Sequence, residues 1–265
     1  TDSHTSLAST REENFFGKMS SMEPQPRRLI DPLSYSEGIG TTYYRDTVSS
    51  GLAAIWATEN TREALFDAMM RKETYATTGT RMTVRVFGGW DYDKNDVFSP
   101  EFARIGYQGG VPMGGDLTAA PAGKAPSLII AAVRDPDGAN LDRVQIVKGW
   151  VDDKGQTQEQ IYDVACADDR AIKAGRCEKP VGNTVDVKTA TYSNRIGDAT
   201  LSAYWQDPDF DSKQRAFYYV RVLEIPTPRW TTYDAVRFGV ELPKDKPAAQ
   251  QERAYTSPIW YTPGN

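Results

Sequence analysis

The chain has 265 residues, room for one large domain or two modest ones. Its net charge is −5, with no Lys/Arg cluster interleaved with aromatics, which disfavours nucleic-acid binding. No apolar run approaches ~18 residues, so no helical membrane span is expected.

The chain opens on Thr1-Asp2-Ser3-His4-Thr5, which holds the only histidine. On a strand, residues i and i+2 project from the same face, so Asp2 and His4 would stand side by side. A carboxylate beside an imidazole makes half of a metal site; a catalytic zinc usually takes three protein ligands. The chain has no starting methionine, so the expectation is a larger protein cut just before its last pair of metal ligands. The competing reading is a frayed terminus with a solvated histidine.

Residues 6–17 suit a short helix closed by Gly17. Pro24 and Pro26 then argue against a helix or central strand, leaving a long irregular stretch to about residue 50 that is a candidate cleft cover. Residues 51–57 form a short apolar run expected as a buried strand. Asn60-Thr61-Arg62-Glu63 has the form of a capping box, and Ala64, Leu65, Ala68, Met69 and Lys72 recur as an amphipathic stripe. Strand then helix after Asp-x-His is the rhythm of the last unit of an α/β barrel.

From Arg81 onward strands dominate. Residues 82–87, 127–133, 141–150, 159–164, 184–191, 199–205, 214–225 and a last pair at Trp260 and Tyr261 read as strands between Pro/Gly/Asp turns. The expected architecture is α+β: a terminal strand-helix portion over residues 1–80, then a mostly antiparallel β-sandwich over residues 81–265.

Cys166 and Cys177 are the two cysteines. A disulfide between them would restrict the unfolded chain and imply an oxidising compartment; two free thiols are the alternative. Arg81, just past Thr77-Thr78-Gly79-Thr80, is a candidate to bind an anionic substrate, or else a surface arginine flanking a strand. Arg229, in the Pro-set loop Ile225-Pro226-Thr227-Pro228-Arg229-Trp230, is a second candidate, or part of a loop packed by Trp230. Asp207, Asp209 and Asp211 have alternate-acid spacing but lack the glycine and distal glutamate of a calcium loop. With one imidazole and no cysteine in a nucleophile setting, no serine or cysteine triad is expected, and no catalytic residue is assigned.

The segments Thr1-Asp2-Ser3-His4-Thr5, Arg11-Glu12-Glu13-Asn14-Phe15-Phe16-Gly17-Lys18, Asn60-Thr61-Arg62-Glu63-Ala64-Leu65-Phe66-Asp67-Ala68 and Glu73-Thr74-Tyr75-Ala76-Thr77-Thr78-Gly79 resemble a bacterial family of unknown function. That family is similar to the PHP (polymerase and histidinol phosphatase) metal-dependent hydrolases. Val144 to Trp150 and Phe217 to Trp230 resemble its carboxy-terminal part. The resemblance implies a PHP-like α/β barrel of which residues 1–80 are the last portion. It implies Asp2 and His4 as ligands of a divalent metal (zinc, manganese or iron), with the other ligands in an upstream segment of the same protein. A small-molecule ester, phosphoester-like, would be the substrate, in a periplasmic or secreted setting. This stretch alone is expected to be inactive and to hold no tight metal; assembly into a homo-oligomer stays open. The contrasting reading is a non-catalytic β-sandwich module for binding or assembly. A third is carbohydrate binding through Trp90, Trp150 and Trp205, for which core packing is an equal explanation.

Overall fold

A computed structural model describes residues 3–6 and 10–264. In chain order the strands and helices are β1 (Pro32–Ser36), β2 (Gly40–Tyr43), β3 (Leu52–Ile55), α1 (Arg62–Met70), β4 (Thr74–Thr77) and β5 (Thr83–Gly89). Next come α2 (Phe102–Gly109), β6 (Gly110–Pro112), β7 (Asp116–Thr118), β8 (Ser127–Val133), β9 (Leu141–Val151) and β10 (Thr157–Cys166). Then follow β11 (Ile172–Lys173), β12 (Arg176–Cys177), β13 (Thr200–Gln206), β14 (Ala216–Glu224) and β15 (Thr227–Pro228). The chain closes with α3 (Trp230–Phe238), β16 (Ala249–Gln250), β17 (Arg253–Thr256) and β18 (Ile259–Thr262). The fold is mixed and strand-rich.

Two sheets carry the architecture. An eight-stranded sheet runs β10-β9-β14-β17-β4-β3, with β18 beside β14 and β7 parallel to β18. A four-stranded sheet runs β13-β8-β5-β6. One apolar core joins them: Val84 and Val86 of β5 and Leu128 and Ile130 of β8 meet Val144 and Ile146 of β9 and Val220 and Val222 of β14. The sequence reason is visible in β14, whose residues 216–222 alternate buried and half-buried as period-two patterning requires. β9 is instead buried almost throughout, because it lies centrally between β10 and β14.

Several expectations change. The stretch over 184–191 is turns with an Asp186–Thr191 bridge rather than a strand. In α1 the N-cap is Thr61, whose Oγ1 accepts the Ala64 N–H at 3.3 Å, one residue later than the expected Asn60. Ala68 is buried while Met69 is exposed, so the apolar stripe covers less than its spacing suggests. A PHP-like barrel portion is not shown by the described residues. β3 and β4 flank α1 but pair antiparallel, and barrel strands would pair in parallel. β4 also pairs with β17, so the expected 80/81 boundary runs through a single sheet. Trp90, Trp150 and Trp205 are half-buried and pack against the core.

Residues 11–31 fold onto α3 rather than trailing away. Arg28 is 1% exposed, and its side chain reaches three backbone carbonyls, of Phe15 (3.0 Å), Phe16 (2.9 Å) and Met22 (3.1 Å). It also pairs with the buried Asp234 carboxylate and stacks on the Trp230 ring at 4.6 Å. Glu12 accepts the Trp230 N–H at 2.6 Å, capping α3 from a segment far away in sequence.

Candidate functional site: an acidic cleft

Where the turn after β4 meets the end of β14, a cleft opens against residues 11–13. It is lined by Glu12, Glu13, Asp135, Asp137, Glu224 and Glu252; Arg11 is the one cation among its described lining residues. Its volume is ≈ 50 Å³. One water needs about 10–15 Å³ on that measure, so a few waters or a small ion fit and a bulky group does not.

Each carboxylate has a different environment. Glu12 Oε1 accepts the Ser49 N–H at 3.1 Å while Oε2 takes the α3 N-terminus. Asp135 accepts the Arg81 N–H at 2.9 Å, the Asp137 N–H at 3.1 Å and the Arg11 guanidinium at 3.3 Å. Burial raises its affinity for a proton, but these N–H donors and the arginines outweigh burial and hold the carboxyl below its usual range. Glu252 accepts from the Thr78 hydroxyl and from Gln250 Nε2 at 2.6 Å. Burial still pushes it up to about 7, and the Glu12 carboxylate adds to the rise.

Glu224 is the exception. It is 0% exposed and neither carboxylate oxygen has a hydrogen-bond partner. Thr80 Oγ1, also buried and unpaired, stands close enough to lower its pKa without hydrogen-bond geometry. Burial dominates and pushes Glu224 up to about 8, with Glu252 and Asp135 adding to the rise and Arg11 opposing it. Such a group is normally paired, because an unsatisfied buried carboxyl costs more than a lost hydrogen bond.

Gly79 lets the walls close. A Cβ there would lie 2.4 Å from the Thr10 carbonyl oxygen and 3.5 Å from Glu252 Oε2. A side chain at this position would push residues 10–13 off the turn.

The described residues singled out from sequence are not among the cleft's lining. Asp2 lies outside the described residues. His4 is exposed, and its backbone N–H donates to the Lys18 carbonyl at 2.7 Å. Arg81 lies beside the cleft, tied to Asp135 and to Asp137 at 2.7 Å, with its side chain 60% exposed. Arg229 is buried; it donates to the Thr47 carbonyl at 2.8 Å and leads into α3. Cys166 and Cys177 form a disulfide, Cα–Cα 6.0 Å. Among the described residues, the only trio of metal-type groups converging within 4.8 Å is Asp163, Cys166 and Cys177. Their sulfurs are already bonded to each other, so that trio offers no thiolate to a metal. Asp207 is held by Lys148 at 2.6 Å and by the Tyr218 hydroxyl at 2.6 Å, a buried ion pair in place of a calcium loop.

Sequence reasoning missed Asp135, Glu224 and Glu252 as site residues. Asp135 was visible as part of a turn, Asp135-Pro136-Asp137-Gly138, and Glu224 as the end of a strand. Neither pattern signals a shared cleft.

No curated protein and no solved structure matches the chain. One family model, described as a protein of unknown function (DUF3604), matches residues 1–263. The chain belongs to the DUF3604 family.

Proposed function

We propose that this chain is part of a metal-dependent hydrolase acting on a small phosphoester-like substrate, with Asp2 and His4 among the ligands of a divalent metal. The PHP likeness that suggests this rests on sequence pattern. A carboxylate and a neutral imidazole suit zinc, manganese or iron, and the remaining ligands would come from residues outside this sequence. Such a metal lowers the pKa of bound water and offsets charge on a phosphoryl oxygen.

The observation that carries the reading is the placement of residues 11–13. The stretch that follows Asp-x-His is held by Glu12 on α3 and walls an acidic cleft. Six acids line the cleft; Arg11 and the neighbouring Arg81 offset Asp135 and Asp137, and the remaining acidic groups leave a negative potential that favours divalent cations. Residues 11–31 are therefore part of the packed structure, which a disordered arm on a binding module would not need.

The test uses the intact protein. Metal content and hydrolysis of chromogenic phosphomonoesters and phosphodiesters are measured for wild type and His4→Ala. The expected outcome is loss of a metal equivalent and a rate drop of about 100-fold or more, the scale on which removing a polarising group acts. Unchanged metal and rate in His4→Ala would remove His4 from the site.

A further inference from the structure

We infer that the cleft itself binds a hard divalent cation, with Glu224 as its anionic anchor and the Thr80 hydroxyl as a second oxygen. It uses neither Asp2 nor His4.

Three observations converge. Glu224 is fully buried, lines the cleft, and leaves both oxygens unpartnered. Thr80 Oγ1 is buried and unpartnered on the same wall. The surrounding side chains are mostly acidic, and Arg11 is already committed to Asp135 at 3.3 Å and Glu13 at 3.4 Å. An anion would be repelled, while a cation would satisfy the orphaned oxygens at once.

Oxygen donors without nitrogen or sulfur select a calcium- or magnesium-class ion over zinc or copper. Three of the other acids do not compete for the role. Both oxygens of Glu12, Asp135 and Glu252 already accept hydrogen bonds. No three carboxylates of the cleft converge within 4.8 Å among the described residues, so the site is not an all-carboxylate cage. Glu224, a hydroxyl and waters are the pattern of a flexible calcium-type site. The ≈ 50 Å³ volume admits an ion with a few waters.

The experiment is a thermal melt of the whole protein, first stripped with chelator, then titrated with CaCl₂ and separately with MgCl₂. An ion that binds only the folded state raises Tm by about 5 °C or more at 100-fold excess over its Kd. Wild type and His4→Ala should both show the rise. Glu224→Gln keeps the shape but has no proton to give up to an ion; it should melt at or above the stripped wild type and show no rise. Thr80→Val should weaken the rise. No rise with either ion overturns the inference. So does a full rise in Glu224→Gln, or a rise lost only in His4→Ala, which would place the ion at the Asp2/His4 site.

Discussion

A carboxylic acid walled off from water holds its proton, and at Glu224 and Glu252 that becomes a statement about stability. Their unfolded values are near 4.5, against about 8 and about 7 in the fold. Between these limits the folded chain binds more protons than the unfolded chain, so stability falls as pH rises from about 4.5 through 8. Asp135 has the opposite sign: its lowered pKa gives stability above the unfolded value of 3.8 that is lost on acidification. The metal-free protein should be most stable near pH 4–5 and lose on the order of a few kcal/mol by pH 9. Denaturant midpoints at pH 5, 7 and 9 in chelator check this. Glu224→Gln should flatten much of the decline, since an amide carries no charge to bury. A stability that climbs from pH 5 to 9 would contradict both environments.

At the scale of elements, α3 is held by side chains from residues 11–31. The Arg28–Asp234 pair is fully buried, with Arg237 as a weaker second partner of Asp234 at 3.7 Å. Removing one member strands the other's charge, so Arg28→Met should cost about 3–5 kcal/mol. Pairing it with Asp234→Leu should recover much of that loss, because an apolar pair strands no charge. Melts of the single and double variants, with proteolysis timed at residues 11–31, measure it; a single variant as stable as wild type would mean the latch is redundant. This also explains why α3 was hard to read from sequence. Pro226 and Pro228 precede it, and Thr231-Thr232-Tyr233-Asp234 shows no apolar stripe. Its N-terminal cap comes from Glu12, more than two hundred residues upstream. The left-handed Gly239 at its end (φ 63°) was the one local signal. β8, β9 and β14 were legible because their periodicity and their bounding turns are local. The cleft was not, because it is assembled from residues 12, 135, 224 and 252, which only the finished sheet brings together.

For the whole molecule, the decisive fact is that the large sheet is built from both ends of the chain. Composition shifts at Arg81, which suggests two domains, yet β3 and β4 continue the sheet past β17. Tyr75, Ala76 and Thr77 pair with Thr256, Tyr255 and Ala254, and the Ser257 N–H adds a bond to the Thr74 carbonyl at 3.0 Å. Residues 81–265 alone would expose that edge of β17 as unpaired N–H and C=O groups, an invitation to strand pairing between molecules. They would also lose Arg28 from the Trp230 ring and Glu12 from the α3 N-terminus. The full chain should therefore melt in one cooperative transition, and residues 81–265 alone should aggregate or fail to give a sharp melt. Calorimetry and light scattering on both chains decide it. A monomeric 81–265 with a Tm within a few degrees of the full chain would instead favour a boundary at 80/81, with residues 1–80 an appendage.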